Sequence, residues 1–259
     1  MALSTFELIE LRTAKQILEN PGLVAKLSHL VGSPIESLLK KLPGPLHSTI
    51  NSAVRKSIDI AFDIALKTLD QDIRHPSSNL RHKIAAGATG AAGGFFGLSA
   101  LAIELPVSTT IMLRSIADIA RSEGEDLRHP DSRLQCLQVL AFGGAPPEDD
   151  AAESTYFATR AALAKAISEA AEFVAKKGLV QKGAPVIVRL ISLITSRFSI
   201  VVSEKVAAQT VPVVGAFGGA AINTLFIDHF QNMARGHFIV RRLERDHGQE
   251  EVRKLYEQL

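Results

Sequence analysis

The chain has 259 residues, with 29 basic and 27 acidic side chains and a net charge of +2. That near-balance excludes a dedicated nucleic-acid binder, which needs a strong basic surplus to meet phosphates. A single cysteine, Cys136, excludes an internal disulfide and a cysteine-based zinc cluster, and it suits a reducing compartment.

The length is that of one large domain or two small ones, enough to bury a core without staples. The hydrophobic share is 46%, there is no tryptophan, and alanine is abundant, a mixture that favours helices. The opening segment MALSTFELIELRTAKQIL carries Glu7 and Glu10 and lacks both a basic leader and a long apolar run, so it does not read as a secretory signal.

In chain order, Leu8, Leu11, Ile17 and Leu18 form the stripe of a first helix that Asn20-Pro21 ends. Asn20 is placed to cap a short second helix, and Ser33-Pro34-Ile35-Glu36 reads as a capping box opening a third. After the break at Pro43-Gly44-Pro45, helical spacing runs from Ile50 to Asp70. Leu105-Pro106 predicts a division between two helices, roughly 80–103 and 106–124, folded as a hairpin. Asp131 or Ser132 is placed to cap the next short helix. A long Ala-rich helix follows and ends at Gly178. Pro185 restarts a very apolar one, VIVRLISLITSRFSIVV, and a last long helix runs to about His247. No strand has the required alternation. The expected fold is all-α, a single domain over 1–259 of about nine to eleven helices. It comprises an N-terminal arm (1–45), a core (46–259) and a mobile loop (143–154).

One phrase occurs twice. DIRHPSSNL (72–80) and DLRHPDSRL (126–134) share Asp-(Ile/Leu)-Arg-His-Pro-x-Ser-x-Leu, 54 residues apart. Proline disfavours helix at the histidine before it, and the polar residues after it suit the next helix start, so each phrase reads as a corner. A hairpin between them would bring Arg74 and His75 to the end of the molecule that holds Arg128 and His129. There the pair could remain surface caps, hold a metal with Asp72 and Asp126, or meet a lipid or phosphate head group.

Two stretches carry no charge at all. IAAGATGAAGGFFGLSALAI (84–103) has twelve Ala or Gly in 20 residues, with GxxxG spacings at Gly90/Gly94 and Gly93/Gly97. VAAQTVPVVGAFGGAAINTLFI (206–227) repeats the theme at Gly215/Gly219. Glycine weakens a helix by roughly 1 kcal/mol per site, so runs of it imply close backbone packing, in a soluble core or in lipid. The absence of GxxxxGK[ST] excludes a phosphate loop.

These two blocks, extended to GATGAAGGFFGLSALAIELPVSTTIMLRSIADIARSEGEDL and VPVVGAFGGAAINTLFIDHFQNMARGHFIVRRLE, resemble the bacterial EcsC family. The family takes its name from a protein encoded beside an ABC transporter. The resemblance covers about residues 40–245. It implies an α-helical cytoplasmic protein associated with membrane, and it transfers no catalytic residue.

Candidate ligand-binding residues are Glu104 at the end of the first uncharged run, Arg114 and Asp118 as an i,i+4 pair, Asn223 inside the second run, and Asp228-His229 just after it. His229 and His237 share roughly one helix face. No HExxH or GxSxG occurs, so no catalytic residue, metal site or cofactor is assigned. Cys136 reads as core. The arginines at 235, 241, 242 and 245 read as a solvated face or as contacts to anionic lipid.

The expected function is a non-catalytic cytoplasmic protein, peripheral on the inner face of the membrane or docked on a membrane transporter, with a lipid-like ligand and no nucleic acid. One alternative is a metal-dependent, peptidase-like hydrolase, which requires Glu104, Asp118, Asp228 and His229 or the RHP residues to converge. The other is a soluble helical scaffold without a ligand.

Overall fold

In the computed structural model, residues 3–19, 22–69, 101–143, 155–177, 183–211 and 215–259 are described. They form ten α-helices and no strand: α1 Thr5–Glu19, α2 Leu23–Val31, α3 Ile35–Leu39, α4 Gly44–Thr68, α5 Leu101–Ser122, α6 Pro130–Gln138, α7 Thr155–Lys177, α8 Pro185–Gln209, α9 Gly215–His247 and α10 Gln249–Gln258. The all-α expectation holds. The first RHP phrase, most of the first uncharged stretch and all but Gly143 of the 143–154 loop lie outside the described residues.

Two long helices organise the rest. α4 lies against both α5 and α8, and α9 against both α1 and α5, while α7 covers α8 and α6. The buried faces follow helical spacing: Ile50, Val54, Ile58, Ala61 and Ala65 in α4, and Ile187, Leu190, Ile194, Phe198 and Val201 in α8. Leu11, Ala14 and Leu18 bury the inner face of α1 in the common hydrophobic cluster. α1 and α9 approach so closely that a Cβ at Gly236 would come within 2.7 Å of Leu18 Cγ.

Several helix boundaries differ from expectation. α5 runs unbroken through Pro106, so no turn divides it at Leu105-Pro106. Pro106 removes one backbone bond inside the helix, and burial of Leu105, Leu113 and Ile116 on the same helix offsets it. Ser33-Glu36 makes no capping box. The N-cap of α3 is Pro34, without a side-chain bond, and Ser28 Oγ accepts from the Ile35 N–H instead (3.1 Å). The capping box lies at the start of α1, where Ser4 donates to Glu7 Oε2 from backbone and hydroxyl, both at 2.7 Å, and Ser4 Oγ accepts from the Glu7 N–H.

The second RHP phrase is a corner, as expected, but its chemistry is different. His129 is the extended N-cap residue of α6 and Pro130 the first helical residue. Ser132 does not cap. It donates to Glu125 Oε2 at 2.8 Å. Arg133 and Arg121 reach back to the end of α4 and donate to the carbonyls of Leu66 (2.7 Å) and Leu69 (2.8 Å), which helix geometry leaves without partners.

Candidate functional site: a buried Glu104–Lys205–Asn223 cluster

The start of α5, the end of α8 and the first half of α9 meet at one buried polar cluster. Lys205 Nζ donates to Glu104 Oε1 at 2.6 Å and to Asn223 Oδ1 at 2.9 Å. It also lies 4.7 Å from the centroid of the Phe226 ring. Lys205 has no exposed surface and Glu104 keeps 7%. A charge withdrawn from water is tolerated only with a partner of opposite sign and filled hydrogen bonds, and the amine here has a carboxylate, an amide oxygen and an aromatic face.

Two of the predicted residues, Glu104 and Asn223, are therefore joined, and the group joining them was missed. Lys205 sits in SEKVAAQ, where nothing in composition separates it from a surface lysine. The available signal was its position at the border of the second uncharged run. Next to it, Glu204 is 4% exposed, and its Oε2 has no hydrogen-bond partner. Burial, with the charge of Glu36 adding to it, raises this carboxyl to about 7.

The other candidates are elsewhere. Arg114 is exposed, and Asp118 is bonded to Arg121 (3.1 Å) and not to Arg114 as its spacing predicted. Asp228 is half-buried. His229 is buried beneath the turn at Phe142-Gly143, and burial lowers it to about 4. That turn requires glycine twice over. Gly143 has φ +81°, and a Cβ there would overlap the His229 ring. His237, also buried, has its ring 5.1 Å from that of Phe142, and its Nδ1 is 2.9 Å from the Tyr156 hydroxyl.

The four residues that a hydrolase would need do not converge. Glu104 and Asp118 are fourteen residues apart on one helix, about 21 Å along its axis. Among the described residues no group of three or more His, Cys, Asp or Glu is placed to hold a metal ion. The Cys136 thiol is buried, and desolvation pushes it well above its ordinary value. Arg128 and His129 are exposed. Asp126 accepts from Arg128 through both carboxylate oxygens and lies 3.5 Å from His129 Nε2.

The arginines near the end of α9 are not a solvated face. Arg241 and Arg245 both bond Glu125 Oε1, at 2.7 and 2.5 Å, and Arg242 bridges Glu123 and Glu10, both at 2.8 Å. Burial alone would raise Glu125. The bonds from Arg241 and Ser132 and the charge of Arg245 outweigh it and hold the carboxyl below its usual range. Arg160 grips Glu244 with two bonds, at 2.7 and 2.9 Å. Beside this network a cavity of about 460 Å³ opens between α6, α7, α9 and α10, where Arg160, Arg241 and Arg253 face Asp131, Glu244 and Glu250. Its lining charges cancel.

The model of the EcsC protein family matches residues 7–243. The chain belongs to the EcsC family. Neither a curated protein nor a solved structure matches it. The match takes in α1, beyond the 40–245 span of the sequence resemblance, in keeping with the packing of α1 on α9. In this EcsC chain the buried cluster is formed at the inner borders of the two uncharged stretches that carried the resemblance.

Proposed function

We propose that this EcsC-family chain is a non-catalytic cytoplasmic module that attaches to the inner face of the membrane, or to a transporter within it, through apolar contact. The observation that supports it most is the start of α5. Ile103 is 74% exposed, and Val107, one turn later on the same face, is 42% exposed. Single exposed apolar residues are ordinary. These two instead lie four residues apart on one face of α5 and make an exposed apolar pair directly after the uncharged run of the sequence.

The arginines argue for the same mode. Arg241, Arg242 and Arg245 are engaged with Glu125, Glu123 and Glu10, so they are poor candidates for anionic head groups. α8 is long and apolar enough to cross a bilayer, at 25 residues and mean hydropathy 1.8. Its buried face against α4 and α7 is also accounted for by ordinary core packing.

The test is flotation of the full-length protein with neutral and with anionic liposomes, at low and high salt. Flotation with neutral lipid that survives high salt, and is lost in Ile103→Asp/Val107→Asp, is the expected result. Flotation only with anionic lipid at low salt would transfer the contact to surface cations. No flotation under any condition would overturn the bilayer reading.

A further inference from the structure

The two uncharged stretches share a boundary that neither displays alone. The first ends at the residue before Glu104, and the second begins at the residue after Lys205. Those two bounding charges are bonded to each other at 2.6 Å, and Asn223, from inside the second stretch, returns to accept from the same amine. The geometry points to a latch: the Glu104–Lys205 pair ties the junctions of both uncharged stretches into the water-soluble packing, and its opening delivers both junctions together to the acyl region of a bilayer. This rests on the bilayer reading above and adds how the contact is controlled.

Buried apolar side chains lie on both sides of the pair: Leu101 and Leu105 near Glu104, Val206 and Ala207 after Lys205, and Phe226 under the amine. In such surroundings neither charge can be left alone, so the two junctions cannot separate by degrees. Opening has to carry both charges to water or head groups. The long lysine stem can do this while the neighbouring apolar side chains enter lipid. On the Glu104 side, Pro106 removes a backbone bond within one turn of the carboxylate. α8 is held by the side chains it buries against α4 and α7.

The test uses full-length wild type, Glu104→Gln, Lys205→Met and the double variant, with neutral phosphatidylcholine liposomes at high salt. Amide hydrogen exchange is followed without lipid. Each single variant leaves one charge buried without its partner. The expected result is a rise of about tenfold in the bound-to-free ratio. Exchange should accelerate in residues 101–113 and 206–211 by more than the rise that the loss of global stability gives α4 and α7. The double variant, with both charges removed, should return to within about twofold of wild type. Acceleration in 101–113 and 206–211 no greater than in α4 and α7 would mean general destabilisation alone and overturn the latch, as would a double variant as open as either single one. Wild-type flotation with no response in the variants overturns the latch and leaves the bilayer reading standing. No flotation by any of the four proteins overturns both.

Discussion

Lys205 and Glu104 are 101 positions apart in the chain and 2.6 Å apart in space, with the lysine closed off from solvent. No other described ion pair is as deeply buried, and it links α5 to α8, two helices that otherwise share little contact. Removing one partner strands the other. Lys205→Met is expected to cost about 3–5 kcal/mol of unfolding free energy, measured by urea denaturation, while the Glu104→Gln/Lys205→Met double variant recovers most of it. Additive losses in the double variant would show that the two groups act separately.

Glu204 makes a prediction with a defined sign. Its folded value of about 7 lies above the ordinary 4.5, so between those values the folded protein binds more protons than the unfolded chain. This contribution is fully present below about pH 4.5 and is lost as pH rises through 7. Glu204→Gln keeps the shape and cannot ionise. It should stabilise the protein at pH 8 by up to about 3 kcal/mol and change little at pH 5. Equal effects at both pH values would show that the carboxyl ionises freely in the fold.

His229 slopes the other way. Held at about 4 by burial, it stays neutral in the fold, while the unfolded imidazole titrates near 6.5. Its contribution is intact above pH 6.5 and is lost as pH falls toward 4. In His229→Phe that acid-side loss should shrink, which thermal denaturation between pH 4.5 and 7.5 would read directly. Gly143→Ala combines a left-handed backbone with overlap on the His229 ring and should cost about 2–4 kcal/mol. Gly143→Ala/His229→Ala should recover only the overlap component.

At Gly236 the expected loss is smaller. An added methyl would come within 2.7 Å of Leu18 Cγ, against a side chain with little room to shift. Gly236→Ala should cost about 1–3 kcal/mol and speed hydrogen exchange in α1 before the rest of the fold. Uniform exchange across α1 and α4 would mean that α1 does not respond as a separate unit.

The helical pattern was legible because apolar residues recur at helical spacing in α4 and α8, and because Pro45, Pro130 and Pro185 lie in the first turn of their helices, where proline is favoured. Pro106 misled because the same residue that opens those helices here lies inside one. A local rule does not register how much of Leu105, Leu113 and Ile116 becomes buried by continuing. Glu104 and Asn223 stood out as polar residues at the edge of, or within, uncharged runs, and both proved buried. Lys205 did not, because a lysine in a helix is usually solvated, and only its distant partner makes burial tolerable. The arginines of α9 were misread for the same reason: Glu10, Glu123 and Glu125 lie more than a hundred residues earlier.

The length of α9 bears on how the protein is made. Its 33 residues reach about 50 Å, and α1, α2 and α5, all earlier in the chain, pack along it. During synthesis those helices present the faces of Leu11, Leu18, Leu27 and Ile116 to water before their common support exists. At 5–20 residues per second, the roughly 130 residues from α5 to the end of α9 take about 6–26 seconds to emerge. A ribosome stalled before α9 would therefore display an apolar surface that the finished protein hides. Such stalled chains should depend on chaperones far more than the released protein does.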